Sequence, residues 1–234
     1  RGGSMEPRQV RSAADARALV ESRGVPHVKI GVFDIDGIMR GKYISRDKFI
    51  SSLDGGFGFC DVVLGWDCQD QLYDNVKYTG WHTGYPDAPV RLLPDTCRLL
   101  PFEDNGLFFL GEFSPPGEAV CSRGLLRRVL ERARAMGFEA YVGFEYEFFV
   151  FKETPESVRE KSYRGLTPMA PGWFGYSVIR NSTGNAFYRQ LLDHCRDMDM
   201  AIEGLHEETG PGVMEAAIAV DKALAAADKA ALFK

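Results

Sequence analysis

Two glutamates one residue apart, Glu145 and Glu147, interrupt a run from Ala140 to Phe151 that otherwise has the make-up of a buried strand. Side chains alternate along a strand, so both carboxylates project from one face, and Val142, Phe144, Tyr146, Phe148 and Val150 project from the other. This limits what the chain can fold into: the strand needs a core on one side and a polar recess or open water on the other. Two like charges in a recess must share a proton or hold a cation. With only oxygen ligands in view, that cation is a hard one, Mg²⁺ or Mn²⁺. The bland alternative is an edge strand whose acids are simply wet.

The 234 residues, 45% of them hydrophobic, are enough for one or two domains with a real core. A formal charge of -5 without a Lys/Arg block gives no basis for a nucleic acid or an anionic membrane as partner, and a small or nucleotide ligand fits better. The five cysteines, Cys60, Cys68, Cys97, Cys121 and Cys195, have no C-x-x-C spacing. They point to neither a disulfide framework nor a zinc site, and a reducing cytoplasm is the simplest home. No apolar run is long enough to span a bilayer, and nothing reads as a secretion leader. Arg1 to Ser4 ahead of Met5 read as a tag remnant.

Ser12, with Asp15 three residues on, predicts a capped leading helix over 12–23 closed by Gly24-Val25-Pro26. Residues 1–24 thus form a lead-in. A strand over 28–34, an Asp36-Gly37 turn and a return over 39–44 follow, and Ser45 caps a helix over 46–53. The Gly-, Pro- and aromatic-rich stretch 54–116 offers short strands near 60–66, 90–93 and 107–113. Residues 25–116 therefore read as a small α+β domain with one helix against a sheet. From 117 to 234 the rhythm changes. Ser122 caps a helix with Leu125, Leu126, Val129, Leu130, Ala133 and Met136 at helical spacing, ended by Gly137 before the Glu145 strand. Phe187, Leu191, Leu192, Cys195 and Met198 mark another helix, ahead of a strand at about 200–208. Residues 153–184 read as a long functional loop with little regular structure.

The later strand ends in acids: Glu203, His206, Glu207 and Glu208, then Glu215 beyond Gly210-Pro211-Gly212. That reversal lets Glu208 and Glu215 lie side by side on paired antiparallel strands, so that four carboxylates converge. Glu207 is the register alternative to Glu208. His206 is a candidate ligand or base, against the commoner role of a hydrogen-bonded structural histidine.

Gly143-Phe-Glu-Tyr-Glu-Phe-Phe-Val-Phe151 and Leu205-His-Glu-Glu-Thr-Gly-Pro-Gly-Val-Met-Glu215 together resemble the metal-ligand segments of the type I glutamine synthetase family. Tyr85-Pro-Asp-Ala-Pro-Val-Arg-Leu-Leu-Pro-Asp-Thr-Cys-Arg-Leu-Leu-Pro-Phe102 is similar to the segment that closes that family's amino-terminal domain. The match runs in family order from about residue 25 onward. It implies an α+β fold: an amino-terminal β-grasp-like domain, then the first part of a catalytic α/β half-barrel. It also implies an ATP-dependent ligase that turns glutamate into γ-glutamyl phosphate and passes it to ammonia or an amine, in a homo-oligomer with sites between subunits.

By that resemblance Glu147, Glu208 and Glu215 match the carboxylates of a first Mg²⁺ or Mn²⁺ site, and Glu145 a ligand of a second that holds the ATP phosphates. Glu203 matches a contact to the nucleotide ribose, and His206 falls in the stretch flanking the metal. Asp67, in Leu64-Gly-Trp-Asp-Cys-Gln-Asp70, resembles the aspartate that takes a proton from the ammonium or amine in a neighbouring subunit, with Asp70 as its rival. Val213 stands where the family usually has Gln, which favours a relative acting on an alkylamine or polyamine. The family's further metal ligands and phosphate-gripping arginines lie in a carboxyl-terminal half not matched here. From this, and from the Ala-rich helix pattern over 221–234, the chain reads as truncated and inactive alone. The competing class is a structural or regulatory relative without catalysis; four converging acids without a cation would be costly in it.

Overall fold

A computed structural model describes residues 5–104 and 106–234 of the chain; Arg1 to Ser4, read as a tag remnant, lie outside the described residues. It is an α+β structure in two compact units. One unit comprises the stretch ending at Ala140 together with Asp197–Asp199 and Lys222–Lys234; the other comprises Tyr141–Arg196 and Met200–Asp221.

The first unit begins with α1 (Ala13–Arg23). The Ser12 hydroxyl accepts from the Asp15 N–H, the Asp15 carboxylate accepts from the Ser12 N–H, and Gly24 closes the helix at φ 62°. This is the reciprocal cap expected from the spacing. The hairpin β1 (His27–Phe33) and β2 (Met39–Ser45) follows, paired from His27↔Ser45 to Phe33↔Met39, with Gly37 at φ 72° in the turn. The Ser45 hydroxyl accepts from the Lys48 N–H to start α2 (Arg46–Gly55).

Beyond α2 the strands differ from expectation. β3 (Phe57–Cys60) is short, and Asp61–Leu64, expected within a strand, form a 3-10 turn. β4 (Asp87–Leu100) is far longer than the 90–93 stretch, because a register shift between Leu93 and Arg98 absorbs Pro94 and lets pairing with β5 (Gly106–Phe113) resume. The sheet order is β2-β1-β5-β4-β3, with only the β1/β5 contact parallel.

Two helices cover the core rather than one. Ala16, Leu19 and Val20 of α1 are buried with Phe49 of α2, whose ring lies 4.6 Å from that of Phe109. α3 (Ser122–Ala135) starts one residue earlier than its expected cap, with Cys121 at the N-cap and no side-chain cap bond. α7 (Ala223–Phe233), near the end of the chain, belongs to the same unit.

An acid and base network ties β5, α3 and α7 together. Glu112, whose side chain is fully buried, accepts from Arg91 Nη2 at 2.6 Å, from Arg127 Nε at 3.2 Å and from Arg123. Arg123 also forks onto Asp228 through Nε at 2.9 Å and Nη2 at 3.0 Å. Burial raises the Glu112 carboxyl, but the hydrogen bonds from Arg91 and Arg123 outweigh it and hold the group below the usual carboxylate range.

In the second unit, β6 (Tyr141–Phe149), β7 (Ile202–Glu207) and β8 (Val213–Lys222) form a sheet in the order β6-β8-β7. Between β6 and β7 lie α4 (Pro155–Glu160), α5 (Val178–Thr183) and α6 (Asn185–Asp197), so the stretch expected to be loop carries two short helices. Glu153 organises its first part, accepting from Ser157 Oγ at 2.5 Å, Lys161 Nζ at 2.6 Å and the Thr167 N–H at 2.7 Å. These bonds hold its carboxyl down at about 2.

Candidate metal centre and aspartate loop

β6 alternates as its pattern dictates: Glu145 and Glu147 lie on the exposed face, Phe144, Tyr146 and Phe148 on the half-buried one. Its neighbour β8 follows from the tight reversal at Gly210-Pro211-Gly212. Gly212 takes φ 73°, and a Cβ there would stand 2.7 Å from the Val150 carbonyl, so a side chain is excluded on two counts. The Val150 N–H donates to the Gly212 carbonyl at 2.8 Å. β6, with Glu145 and Glu147, is thus the sheet neighbour of β8, with Glu215.

On the other side of β8, Glu215 pairs with His206 and Met214 with Glu207. That pairing decides the register left open by the sequence. Glu208 shares a face with His206 and Glu215, whereas Glu207 turns to the opposite face, 6% exposed, with the Tyr188 hydroxyl 3.4 Å away. Glu207 is thus a core residue. The ligating atoms of His206, Glu208 and Glu215 all lie within 4.8 Å of one another. A cation with bonds of about 2.0–2.6 Å spans such a set.

His206 donates to Glu208 Oε1 at 2.9 Å, and the Thr209 N–H donates to Oε2 at 3.1 Å. The histidine bond, then the Thr209 N–H, hold the Glu208 carboxyl below its usual range. Tyr176 completes the cluster. Its ring stacks on His206 at 4.4 Å and 13°, and its N–H donates to the Glu207 carbonyl at 2.8 Å. Its hydroxyl pKa is raised, chiefly by the Glu208 charge and by burial, with Glu215 and Glu145 adding smaller contributions. Tyr176 also sits at φ 60°, a conformation an aromatic residue adopts only when its surroundings impose it. Nothing in the local sequence marks this residue, because it belongs to an aperiodic, glycine-rich stretch.

Glu203 stands apart from the cluster. It is exposed and occupies the bulge of β7 between Ile202 and Gly204.

Asp67 belongs to the first unit, in a loop after the 3-10 turn. Its Oδ1 accepts from the N–H groups of Gln69 and Gln71 at 2.8 and 2.9 Å, and its Oδ2 has no hydrogen-bond partner among the described residues. Its rival Asp70 instead accepts through Oδ1 from Arg40 Nη1 at 2.6 Å.

Residues 119–234, a stretch that contains Glu145, Glu147, Glu203, Glu208 and Glu215, match the family model described as glutamine synthetase, catalytic domain. Type-1 glutamine synthetase 2 of Dictyostelium discoideum is 44% identical over 212 residues, covering 89% of this chain and 40% of that protein. The chain belongs to the type I glutamine synthetase family. Among its glutamine synthetase relatives is the glutamate–isopropylamine ligase of a Pseudomonas species, 31% identical over 93% of the chain and 48% of the ligase. The chain thus spans less than half the length of these curated relatives. The solved GmaS complex with ADP superimposes with a TM-score of 0.73 at 17% identity, covering 94% of this chain and 47% of that one, which shows the shared fold. Among the described residues no helix is long and apolar enough to cross a membrane.

Proposed function

We propose that this chain serves an ATP-dependent ligase that joins the γ-carboxyl of glutamate to ammonia or an amine by way of γ-glutamyl phosphate. The observation that carries the reading is the meeting of Glu208, Glu215 and His206 within 4.8 Å, in the sheet whose strand β6 carries Glu145 and Glu147 on its exposed face. Oxygen donors dominate that set, which suits Mg²⁺ or Mn²⁺. Glu147, Glu208 and Glu215 would hold one ion, and Glu145 would contribute to a second beside the ATP phosphates. Such ions, when bound, neutralise charge on phosphate oxygens during phosphoryl transfer.

The chain's own residues do the rest. His206, bonded to Glu208, fixes the orientation of that carboxylate. The free Oδ2 of Asp67 is the atom that takes a proton from the ammonium, giving the amine the lone pair with which it displaces phosphate from the γ-glutamyl carbonyl. Asp70 is the weaker candidate because Arg40 occupies it. Glu203 contacts the nucleotide ribose. Residues 25–116 act as a β-grasp-like amino-terminal domain and 117–234 as the first part of the catalytic domain, in a homo-oligomer whose neighbouring subunit supplies Asp67. Val213, buried at 8% exposure where an amide is usual, and the isopropylamine-ligating relative favour an alkylamine or polyamine over ammonia.

The test is phosphate release by the full-length protein with ATP, glutamate and Mg²⁺ against ammonia and a panel of amines. Glutamate-dependent release that rises with an alkylamine is the expected result. Activity with ammonia alone overturns the amine preference, and no release with any amine overturns the ligase reading.

A further inference from the structure

We propose that Arg40 is a positioning residue for Asp67, a clamp that fixes the loop on which the free Oδ2 is presented; this rests on the reading of Asp67 as the proton acceptor. The guanidinium is spent entirely inside the first unit. Its Nε donates to Asp34 Oδ2 at 2.8 Å, Nη1 to Asp70 Oδ1 at 2.6 Å and Nη2 to the Asp67 carbonyl at 3.3 Å, and its plane lies 4.8 Å above the Trp66 ring.

The anchor of the clamp is rigid. Asp34 is fully buried, and its other oxygen accepts from the N–H groups of Asp36 and Ile38 at 2.9 and 2.8 Å, so the carboxylate that grips Arg40 is set by the β1–β2 turn. Asp36 adds a second tie by accepting from the Cys68 N–H at 2.8 Å. Arg40 therefore holds the residues before, at and after Asp67: the Trp66 ring, the Asp67 carbonyl and the Asp70 carboxylate. Only a planar, forked cation serves these directions at once, and a lysine would serve one of them. The loop itself closes with the Asp67 N–H donating to the Gln71 carbonyl at 3.0 Å and the Asp70 N–H to the Asp67 carbonyl at 3.1 Å, so it moves as one turn, and releasing Arg40 removes the side chain that anchors that turn to the buried Asp34. A base displaced by about 1 Å costs on the order of 100-fold in rate.

The experiment compares Arg40→Ala, Arg40→Lys and Asp67→Asn in the full-length protein, reading kcat and KM for each substrate and amide exchange at Gln69 and Gln71. Expected are a kcat lowered about 10- to 100-fold in both Arg40 variants with KM for ATP unchanged, faster exchange at the two amides, and partial recovery of Arg40→Ala by millimolar guanidinium. Simple destabilisation would not be rescued by a denaturant. If Asp67→Asn lowers kcat while Arg40→Ala and Arg40→Lys retain it, the clamp is refuted and the base stands. If Asp67→Asn itself retains full kcat, the reading of the base fails. Unchanged amide exchange at Gln69 and Gln71 in Arg40→Ala overturns the clamp whatever the kinetics give.

Discussion

Replacing Glu112 by Gln keeps the volume of a fully buried side chain and removes the charge that Arg91, Arg123 and Arg127 converge on. The cost is large because the arginines stay. Arg123 is only 9% exposed and keeps Asp228 alone as a counter-charge, and the new amide would point an N–H at a guanidinium. Removing one partner of a buried pair costs about 3–5 kcal/mol. Arg91→Gln is the control: its side chain is 50% exposed, so losing it costs roughly 0–1 kcal/mol. Urea unfolding in a Trp173→Phe background leaves Trp66 and Trp81, both in the first unit, as reporters. With a slope of about 2 kcal/mol/M, Glu112→Gln lowers the midpoint by roughly 1.5–2.5 M and Arg91→Gln by less than about 0.5 M. A folded-state carboxyl held below its unfolded value stabilises above about pH 4.3 and loses that contribution as pH falls through the folded value. The wild-type midpoint should therefore drop in acid, while that of Glu112→Gln should fall less. Equal midpoints for the two variants, or identical acid profiles for Glu112→Gln and wild type, would refute the claim that the charge is buried and paired.

Glu153, with its carboxyl held at about 2, keeps the 153–167 excursion closed at neutral pH and lets go as pH falls from roughly 4 toward 2. Glu153→Gln should open it at any pH, seen as faster amide exchange at Thr167. Gly212→Ala forces a Cβ onto the Val150 carbonyl at a left-handed φ, at a backbone cost of about 1–2 kcal/mol, and should lower the melting temperature and shift Glu215. Mn²⁺ titrated into the 234-residue chain should raise its melting temperature, by about 2.7 kcal/mol of stabilisation at 100 times Kd, and Glu147→Ala should abolish the rise. Retention of the full rise in that variant counts against Glu147 as a ligand.

Local chemistry was readable where it is local. Ser12 and Asp15 announced the start of α1, Asp36-Gly37 the first hairpin, and the alternation around Glu145 the face on which both acids lie. Periodicity said less about what covers a face. Leu125 and Val129 fall at helical spacing on α3, yet each remains 54% exposed, because spacing identifies an apolar stripe and not its partner. Pro94 hid the continuity of β4, which depends on a register shift that only the paired strand reveals. The choice between Glu207 and Glu208 was likewise beyond the pattern, since it turns on His206 pairing with Glu215, which leaves Glu208 on that face and turns Glu207 to the other. Tyr176 and Arg40 carried no signal of their own. Each is placed by bonds to residues distant in the chain, the Glu207 carbonyl for one and the Asp67 loop for the other.

The first unit is discontinuous in sequence: Tyr141–Arg196 and Met200–Asp221, which make up the second, come before Lys222. A nascent chain therefore emerges from the ribosome with Arg123 already made and its forked partner Asp228 still to be synthesised. At about 5–20 residues per second that delay lasts several seconds, long enough for the inserted stretch to collapse first. Helix α7 then acts as a late-arriving keystone, and until Asp228 is made the buried Arg123 cation lacks one of its two anions.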